Sequence, residues 1–440
     1  MDYQETISYI HATPKFSRIL GNDLLRRLLG HLGNPQNALR FIHVAGTNGK
    51  GSVCAMTAEI LRLAGYKTGL FTSPYIQRFN ERIAVDGQPI PDDALARIAT
   101  QVRRTMEEHD AFVSEFALDL AIGLVYFQES GCDVVVLETG MGGRLDATNV
   151  IVQSLVSAIV SISLDHTQYL GDTIEKIALE KCGIIKEGGC VVSYPRREPS
   201  VEELIRDTCR SRNARYIPCA VPEPAEDGFI YRGIRYPLGL KGAFQPYNGA
   251  VVLEIVAELR RRGWELSEAA VNGGLSGVKW PARFERLGDR LILDGGHNPE
   301  GAKALAASLN ALKRPVHLVI AMMEDKERRE AVSYLAGAAQ AVTATRVDMP
   351  RCCSPSKLAA LFQERGISCS CVDEPVAAVN AALKETEGTD GIVCVCGSLY
   401  LAGVVRDAFF SGEIAVKITS KRKAAAAPSV QNHIFFAMGL

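Results

Sequence analysis

A chain of 440 residues is too long for one ordinary hydrophobic core, so two domains are expected. With 49 basic against 50 acidic residues the net charge is −1, which argues against a general nucleic-acid or membrane-surface role. Hydrophobic residues at 47% and charged ones at 22% suit a globular protein. No apolar run reaches the ~18 residues of a membrane span, and the polar opening Met1-Asp-Tyr-Gln-Glu-Thr6 does not read as a secretory signal.

The first strong signal along the chain is Phe41-Ile-His-Val-Ala-Gly-Thr-Asn-Gly-Lys-Gly-Ser52, an apolar run breaking into a glycine-rich loop that carries a lysine. Such a loop bares several backbone N–H groups, and the helix after it offers its positive end. Together they cradle a phosphate chain, with Lys50 as a mobile countercharge. The spacing departs from the general P-loop: only two residues separate Gly46 from Gly49, and Gly51 follows the lysine. A plain glycine turn between strand and helix has a similar pattern. The loop therefore predicts nucleoside triphosphate handling without naming a reaction.

From there short β-branched runs alternate with helical patterns. Strands are predicted at 40–45, 67–71, 133–138, 156–162 and 189–193, and helices at 52–65, 92–109, 114–129, 172–187 and 199–212. Continuously apolar strands separated by helices imply a parallel sheet covered on both faces. Residues 221–240 read as a small hairpin or loop excursion, followed by helices over 243–263 and 266–276. Gly273-Gly-Leu-Ser-Gly277 reads as a hinge or linker. The alternation then restarts, with strands near 283–294, 315–321, 339–343, 368–372 and 391–396. The expected division is 1–278 and 279–412, each an α/β domain, with 413–440 a flexible tail. Within that tail Lys421-Arg-Lys-Ala-Ala-Ala-Ala-Pro-Ser429 reads as a linker and Ile434-Phe-Phe436 as a frayed or docking end.

Twelve cysteines form no framework. Cys132, Cys190, Cys219, Cys394 and Cys396 lie in or beside apolar runs, where cysteine acts as a small buried hydrophobe. Cys369-Ser-Cys371 and Cys394-Val-Cys396 lack zinc-site spacing. A reducing, cytoplasmic setting is expected.

Ligands of parallel α/β sheets bind at the carboxyl ends of the strands. Three segments end strands there: Glu138, running on into Asp146 and Asn149; Leu164-Asp-His-Thr167; and Thr72-Ser-Pro74. Each brings an oxygen or imidazole to the loop edge. Singly, Glu138 reads equally as a capping or salt-bridged carboxylate, and His166 as a surface-turn histidine. Their joint occurrence favours a site.

The segments Ala45–Ser52, Glu138-Thr-Gly-Met-Gly-Gly-Arg-Leu-Asp-Ala-Thr-Asn149 and Leu164–Thr167 together resemble folylpolyglutamate synthase/dihydrofolate synthase, of the Mur ligase superfamily. So do Glu180-Lys-Cys-Gly-Ile-Ile-Lys186, Trp280-Pro-Ala-Arg-Phe-Glu285, Asp294-Gly-Gly-His-Asn-Pro299 and Cys396-Gly-Ser-Leu-Tyr-Leu-Ala-Gly403. The resemblance runs in order from about residue 5 to 410. No Asn-Lys-x-Asp guanine-reading motif is present for a GTPase.

The resemblance implies a P-loop central domain of Mur ligase type with a parallel-rich sheet, and a smaller C-terminal α/β, Rossmann-like domain. It implies ATP-driven amide formation, in which a folate-type carboxylate is activated as an acyl phosphate and then captured by the amine of L-glutamate. The acceptor would be dihydropteroate, tetrahydrofolate or both. Gly46, Thr47, Asn48, Gly49, Lys50, Gly51 and Ser52 would hold phosphates. Ser73 and Glu138 would hold a first Mg²⁺, and His166 a second together with Lys181, whose family counterpart is carbamylated. On its own Lys181 reads as a solvated helix charge. Arg283 would reach the nucleotide phosphates, with Asp294, His297 and Asn248 completing the ATP site. Lys50, His166, Lys181 and Arg283 are the expected catalytic set.

Departures from the family pattern are Gly296 for alanine and Ala282 for glycine, both expected to matter little. Phe244 replaces a commoner His or Tyr, and Ser114-Glu115-Phe116 an aromatic-Glu-aromatic segment near the pterin pocket. Small-molecule substrates, no nucleic-acid or membrane partner, and a monomer are expected. The rival readings are a Mur-type ligase for cell-wall peptides and a non-catalytic nucleotide-binding regulator. About 40 residues precede the loop, too few for the extra N-terminal domain of the first, and a mere binder has no use for Glu138, His166 and Lys181 as metal ligands.

Overall fold

Apolar, β-branched runs become the inner strands of two parallel sheets. The computed structural model describes residues 1–15, 21–195, 197–324 and 326–416; the expected linker at Lys421–Ser429 and the end at Ile434–Phe436 lie outside the described residues. Strand Phe41–Ala45 is central in the first sheet, between Val134–Glu138 and Val156–Ile159, both parallel to it. Thr68–Phe71 lies outside Val134–Glu138, while Cys190–Ser193 and Arg215–Pro218 extend the other side. An antiparallel pair, Ile83–Val85 and Gln88–Pro89, closes the first edge.

Strand side chains alternate between the two faces, and both faces are covered. Ile42, Val44, Val134 and Val136 join one core with helices Lys50–Leu63, Gln245–Arg261 and Glu268–Gly277. Phe41, Val135 and Leu137 join the other, beneath helices Asp92–His109 and Glu115–Glu129. This is why the strands read as unbroken apolar runs rather than alternating ones. Fully burying each such side chain contributes about 1.5–3 kcal/mol.

The second sheet runs Glu285–Leu287, Leu291–Leu293, Ile392–Cys396, Val316–Ile320, Ala341–Ala344 and Cys369–Cys371; all pairs are parallel except the first. Helix Leu399–Ser411 packs beside it, Ile414 is buried and Val416 packs against the same core. The fold is thus a P-loop α/β domain joined to a smaller α/β domain. Among the described residues no helix is long and apolar enough to cross a membrane.

Several local expectations change. The stretch 283–294 is a hairpin, turned at Gly288 (φ +67°), instead of one strand. The helix expected over 172–187 stops at Cys182, where Gly183 presses onto the Arg144 backbone. Residues 221–240 form a three-stranded antiparallel sheet. Gly273–Gly277 is no hinge: it is the last part of helix Glu268–Gly277, and the small residues let that helix approach Lys50–Leu63. A Cβ on Gly274 would lie 2.8 Å from Ile60 N and 2.9 Å from Ile60 Cα. Backbone cannot yield as a side-chain tip does, so Gly274→Ala should lower stability by about 1–3 kcal/mol, read from the urea midpoint.

One buried acid gives a pH signature. Asp119 is 1% exposed, neither carboxylate oxygen has a hydrogen-bond partner, and Arg82 Nε is 3.7 Å away. Burial pushes its carboxyl up to about 7, against the pull of Arg82. A raised acid stabilises the fold while protonated, and that contribution is lost as pH climbs from about 4 through 7. Asp119→Asn should therefore gain stability relative to the wild type at pH 8 but not at pH 4, a difference that urea titrations at both pH values would measure.

Candidate active site

The carboxyl ends of the central strands and the hairpin side of the second sheet enclose a cavity of about 340 Å³. Residues Gly46 to Ser52, Ser73, Glu138, His166, Lys181, Asn248, Arg283, Asp294 and His297 all line it, so the candidate residues of both domains meet in one place.

The loop is held open by its own geometry. Gly49 has φ +90°, and a Cβ there would lie 2.5 Å from Asn248 Oδ1; a Cβ on Gly46 would lie 2.1 Å from Val160 Cγ2. Thr47 N donates to Ser161 O at 2.7 Å and Thr47 Oγ1 to Ser163 O at 3.1 Å, which anchors the loop to the next strand end. Lys50, at the first turn of its helix, folds back so that Nζ donates to Gly46 O and Thr47 O, both at 3.2 Å. Asn248 Nδ2 donates to Gln245 Oε1 at 3.0 Å, and Gln245 Nε2 to Ser52 Oγ at 3.2 Å.

Glu138 ends its strand with a buried carboxylate, Oε2 accepting from Ser73 N at 3.1 Å. Burial raises its pKa, opposed by Lys50, the Ser73 N–H and Arg283. Lys181, 2% exposed on helix Ile174–Cys182, has no ion pair among the described residues; burial and then Lys50 bring its ammonium down to about 7. His166 takes φ +52° at the start of a short helix, Thr167–Leu170, and its side chain stays 41% exposed. Partial burial lowers its pKa, Asp165 opposing and Lys326 assisting.

In the C-terminal domain Asp294 is buried and accepts from Phe284 N (2.9 Å) and Gly296 N (2.8 Å); burial raises its carboxyl against Arg283. His297 Nδ1 pairs with Gly295 O at 2.9 Å, and burial with Lys326 pushes the imidazole down to about 4. Arg283 lies between two residues of left-handed backbone, Ala282 (φ +54°) and Phe284 (φ +52°). The Ala-for-Gly exchange at 282 is therefore not neutral, since this is conformational ground that favours glycine. A Cβ on Gly296 would stand 2.9 Å from Asp294 Oδ1, so alanine there would crowd the carboxylate.

Among the described residues no cluster of three or more His, Cys, Asp or Glu side chains is placed to hold a metal. The expected ligands Ser73, Glu138, His166 and Lys181 form a mixed set that lines the cavity. The hard oxygens of Ser73 and Glu138 suit Mg²⁺. Lys181 fits only after losing its charge and gaining an oxygen, and its burial favours that loss against the pull of Asp165 and Asp146.

Sequence reasoning left out Asp165, Asn298 and Lys326. Asp165 takes Lys326 Nζ at 2.7 Å on Oδ1 and Asn298 Nδ2 at 3.0 Å on Oδ2. Asp165 and Asn298 sit beside His166 and His297 inside segments already singled out. Lys326 lies in the charged run Glu324-Asp-Lys-Glu-Arg-Arg329, which reads as a solvated face.

The Mur ligase middle domain matches residues 44–212, and the Mur ligase, glutamate ligase domain matches 282–399. The chain is 34% identical to the folylpolyglutamate synthase of Lacticaseibacillus casei over 94% of its own length and 100% of that protein. It is 34% identical to the dihydrofolate synthase/folylpolyglutamate synthase of Bacillus subtilis (strain 168), covering 92% and 98%. Among solved structures it is similar to E. coli FolC in complex with DHPP and ADP, with TM-score 0.85, 29% identity, and 94% and 99% of the chains covered. The Yersinia pestis bifunctional enzyme complexed with AMPPNP and Mn ion gives TM-score 0.83 at 27% identity, covering 93% and 98%.

Proposed function

The chain belongs to the folylpolyglutamate synthase/dihydrofolate synthase family of Mur ligases, ATP-dependent enzymes that form amide bonds, and from that premise we propose which residues carry its reaction. The observation that supports the assignment is the convergence of candidate groups from both domains on one cavity.

The acceptor carboxylate attacks the γ-phosphorus of ATP and ADP leaves; the glutamate amine then attacks the acyl carbon, losing a proton as inorganic phosphate departs. Both encounters join anions, so the site needs fixed cations and donors more than covalent help. The loop amides and Lys50 hold the β- and γ-phosphates, and Arg283 reaches them from the other domain. Asn248, Asp294 and His297 seat the rest of the nucleotide. Ser73 and Glu138 would hold one Mg²⁺, and His166 with carbamylated Lys181 a second. Such ions, when bound, neutralise phosphate charge. Because Arg283, Asp294 and His297 lie across the cleft from Lys50, closure brings the set together and limits idle hydrolysis of ATP.

The acceptor is dihydropteroate, tetrahydrofolate or both, with L-glutamate as the amine, and the protein acts as a cytoplasmic monomer with the domain boundary at residues 278/279. ADP release measured with each acceptor in turn, with and without L-glutamate, tests this reading. Glutamate-dependent release with at least one acceptor is expected. Release with neither, or release indifferent to glutamate, would refute it.

A further inference from the structure

We propose that Asp165 is a positioning residue that latches the C-terminal domain over the phosphate loop, through Lys326 and Asn298. The inference rests on the ligase reading above and adds the device that ties domain closure to chemistry.

Asp165 belongs to the P-loop domain, in the turn after strand Val156–Ile159 and next to His166. Both its hydrogen-bonded side-chain partners belong to the other domain. Lys326 Nζ donates to Oδ1 at 2.7 Å and Asn298 Nδ2 to Oδ2 at 3.0 Å, with His297 Nε2 at 3.9 Å. The Asp165 and Lys326 side chains are only 10% and 11% exposed. At 2.7 Å the Lys326 ammonium and the Asp165 carboxylate form a salt bridge across the cleft.

Asn298 passes the restraint on to the loop. Its Oδ1 caps helix Pro299–Asn310 by accepting from Gly301 N at 2.8 Å. The same side chain exchanges two 3.1 Å hydrogen bonds with the amide of Asn48, which also donates to Glu300 Oε2 at 3.2 Å. One carboxylate thereby fixes three things together: the His166 turn, whose own N–H donates to Asp165 Oδ1 at 2.9 Å, the tip of the phosphate loop, and the segment bearing His297. By contrast, another contact between the domains, Gln77 with Asp407 and Arg406, is exposed or only partly buried and involves none of these groups. A buried, charge-assisted pair is stronger and more directional than an exposed one. Losing it lets the cleft open while each domain stays folded.

The test is a double-mutant cycle with Asp165→Asn and Lys326→Met. Each single variant should lose about 10- to 100-fold in kcat, the scale of an ångström-level misplacement of reacting groups. KM for ATP should change far less, and idle ATP hydrolysis per amide formed should rise. The double variant should be no worse than Asp165→Asn alone, because Lys326→Met removes only a link that Asp165→Asn has already weakened. Small-angle scattering supplies a readout apart from turnover. A non-hydrolysable ATP analogue should shrink the radius of gyration of the wild type and leave that of each variant nearly unchanged. Lys326→Met leaves the His166 turn intact and carries the test should Asp165→Asn fold poorly. Full activity in both single variants, losses that multiply in the double one, or wild-type compaction in the variants would overturn the proposal. Should the wild type itself make no amide, the ligase reading falls, and scattering still decides the latch.

Discussion

Replacing Lys50 with Ala should reduce ATP-dependent glutamate incorporation by about 10²–10³-fold, the cost of removing one preorganised charge stabiliser. The reason lies in how the side chain is stored. Nζ folds back onto Gly46 O and Thr47 O, two neutral carbonyls at 3.2 Å, and forms no ion pair among the described residues. Carbonyl partners of that length are weak, so the ammonium can swing to an arriving phosphate with little to break. The backbone cradle itself depends on Gly46, Gly49 and the Thr47–Ser161 bond, none of which the substitution touches. ATP should consequently still bind, and the loss should fall on kcat more than on KM. The thermal midpoint should scarcely move. A Lys50→Ala enzyme with near-normal turnover would remove the lysine from the mechanism, and a loss confined to KM would demote it to a binding group.

Much of this architecture is legible in the chain, and the reasons differ from place to place. The runs at 41–45, 134–138 and 392–396 are buried at every position, and apolar except at His43 and Glu138, because helices cover both faces of each sheet, so their pattern announces buried parallel strands. Helix Asp92–His109 begins after Pro91 with two acids in its first turn and ends at a left-handed Asp110, punctuation a reader can see. Gly273–Gly277 misleads because a glycine cluster signals either a linker or a close helix contact, and only the neighbour at Ile60 decides. The hairpin at 285–293 hides for a related reason: three-residue strands leave no period to count. Within the site, Glu138 and His166 are found from their places after strands. Asp165 and Lys326 are not, since 161 residues separate them and a charged run ordinarily means a wet surface. Ala282 is the subtler case, a small-for-small exchange whose cost appears only when the backbone is seen at φ +54°.

Lys181 sets function against stability, and its replacement should separate the two. The side chain is 2% exposed on helix Ile174–Cys182, with no carboxylate in ion-pair range among the described residues. A lysine so placed is costly if charged and of little use if it merely fills space. Lys181→Ala should lose amide formation on the order of 10²-fold or more, as for a lost transition-state stabiliser. Carbon-13 bicarbonate should give the wild type a carbamate resonance that the variant lacks, a result independent of turnover. The stability effect should run the other way. In carbonate-free buffer the folded amine titrates near 7, against the 10.5 of an ordinary lysine. Between those values the unfolded chain holds a proton that the folded chain has lost, so wild-type stability should climb with pH through that window. Lys181→Met keeps the bulk and removes the titration. Its stability should be flat there, and its advantage over the wild type should shrink by on the order of 2–3 kcal/mol between pH 7 and 9.5. Urea midpoints at those two pH values measure this. Undiminished catalysis in Lys181→Ala, or a carbamate signal that survives the substitution, would take Lys181 out of the active site.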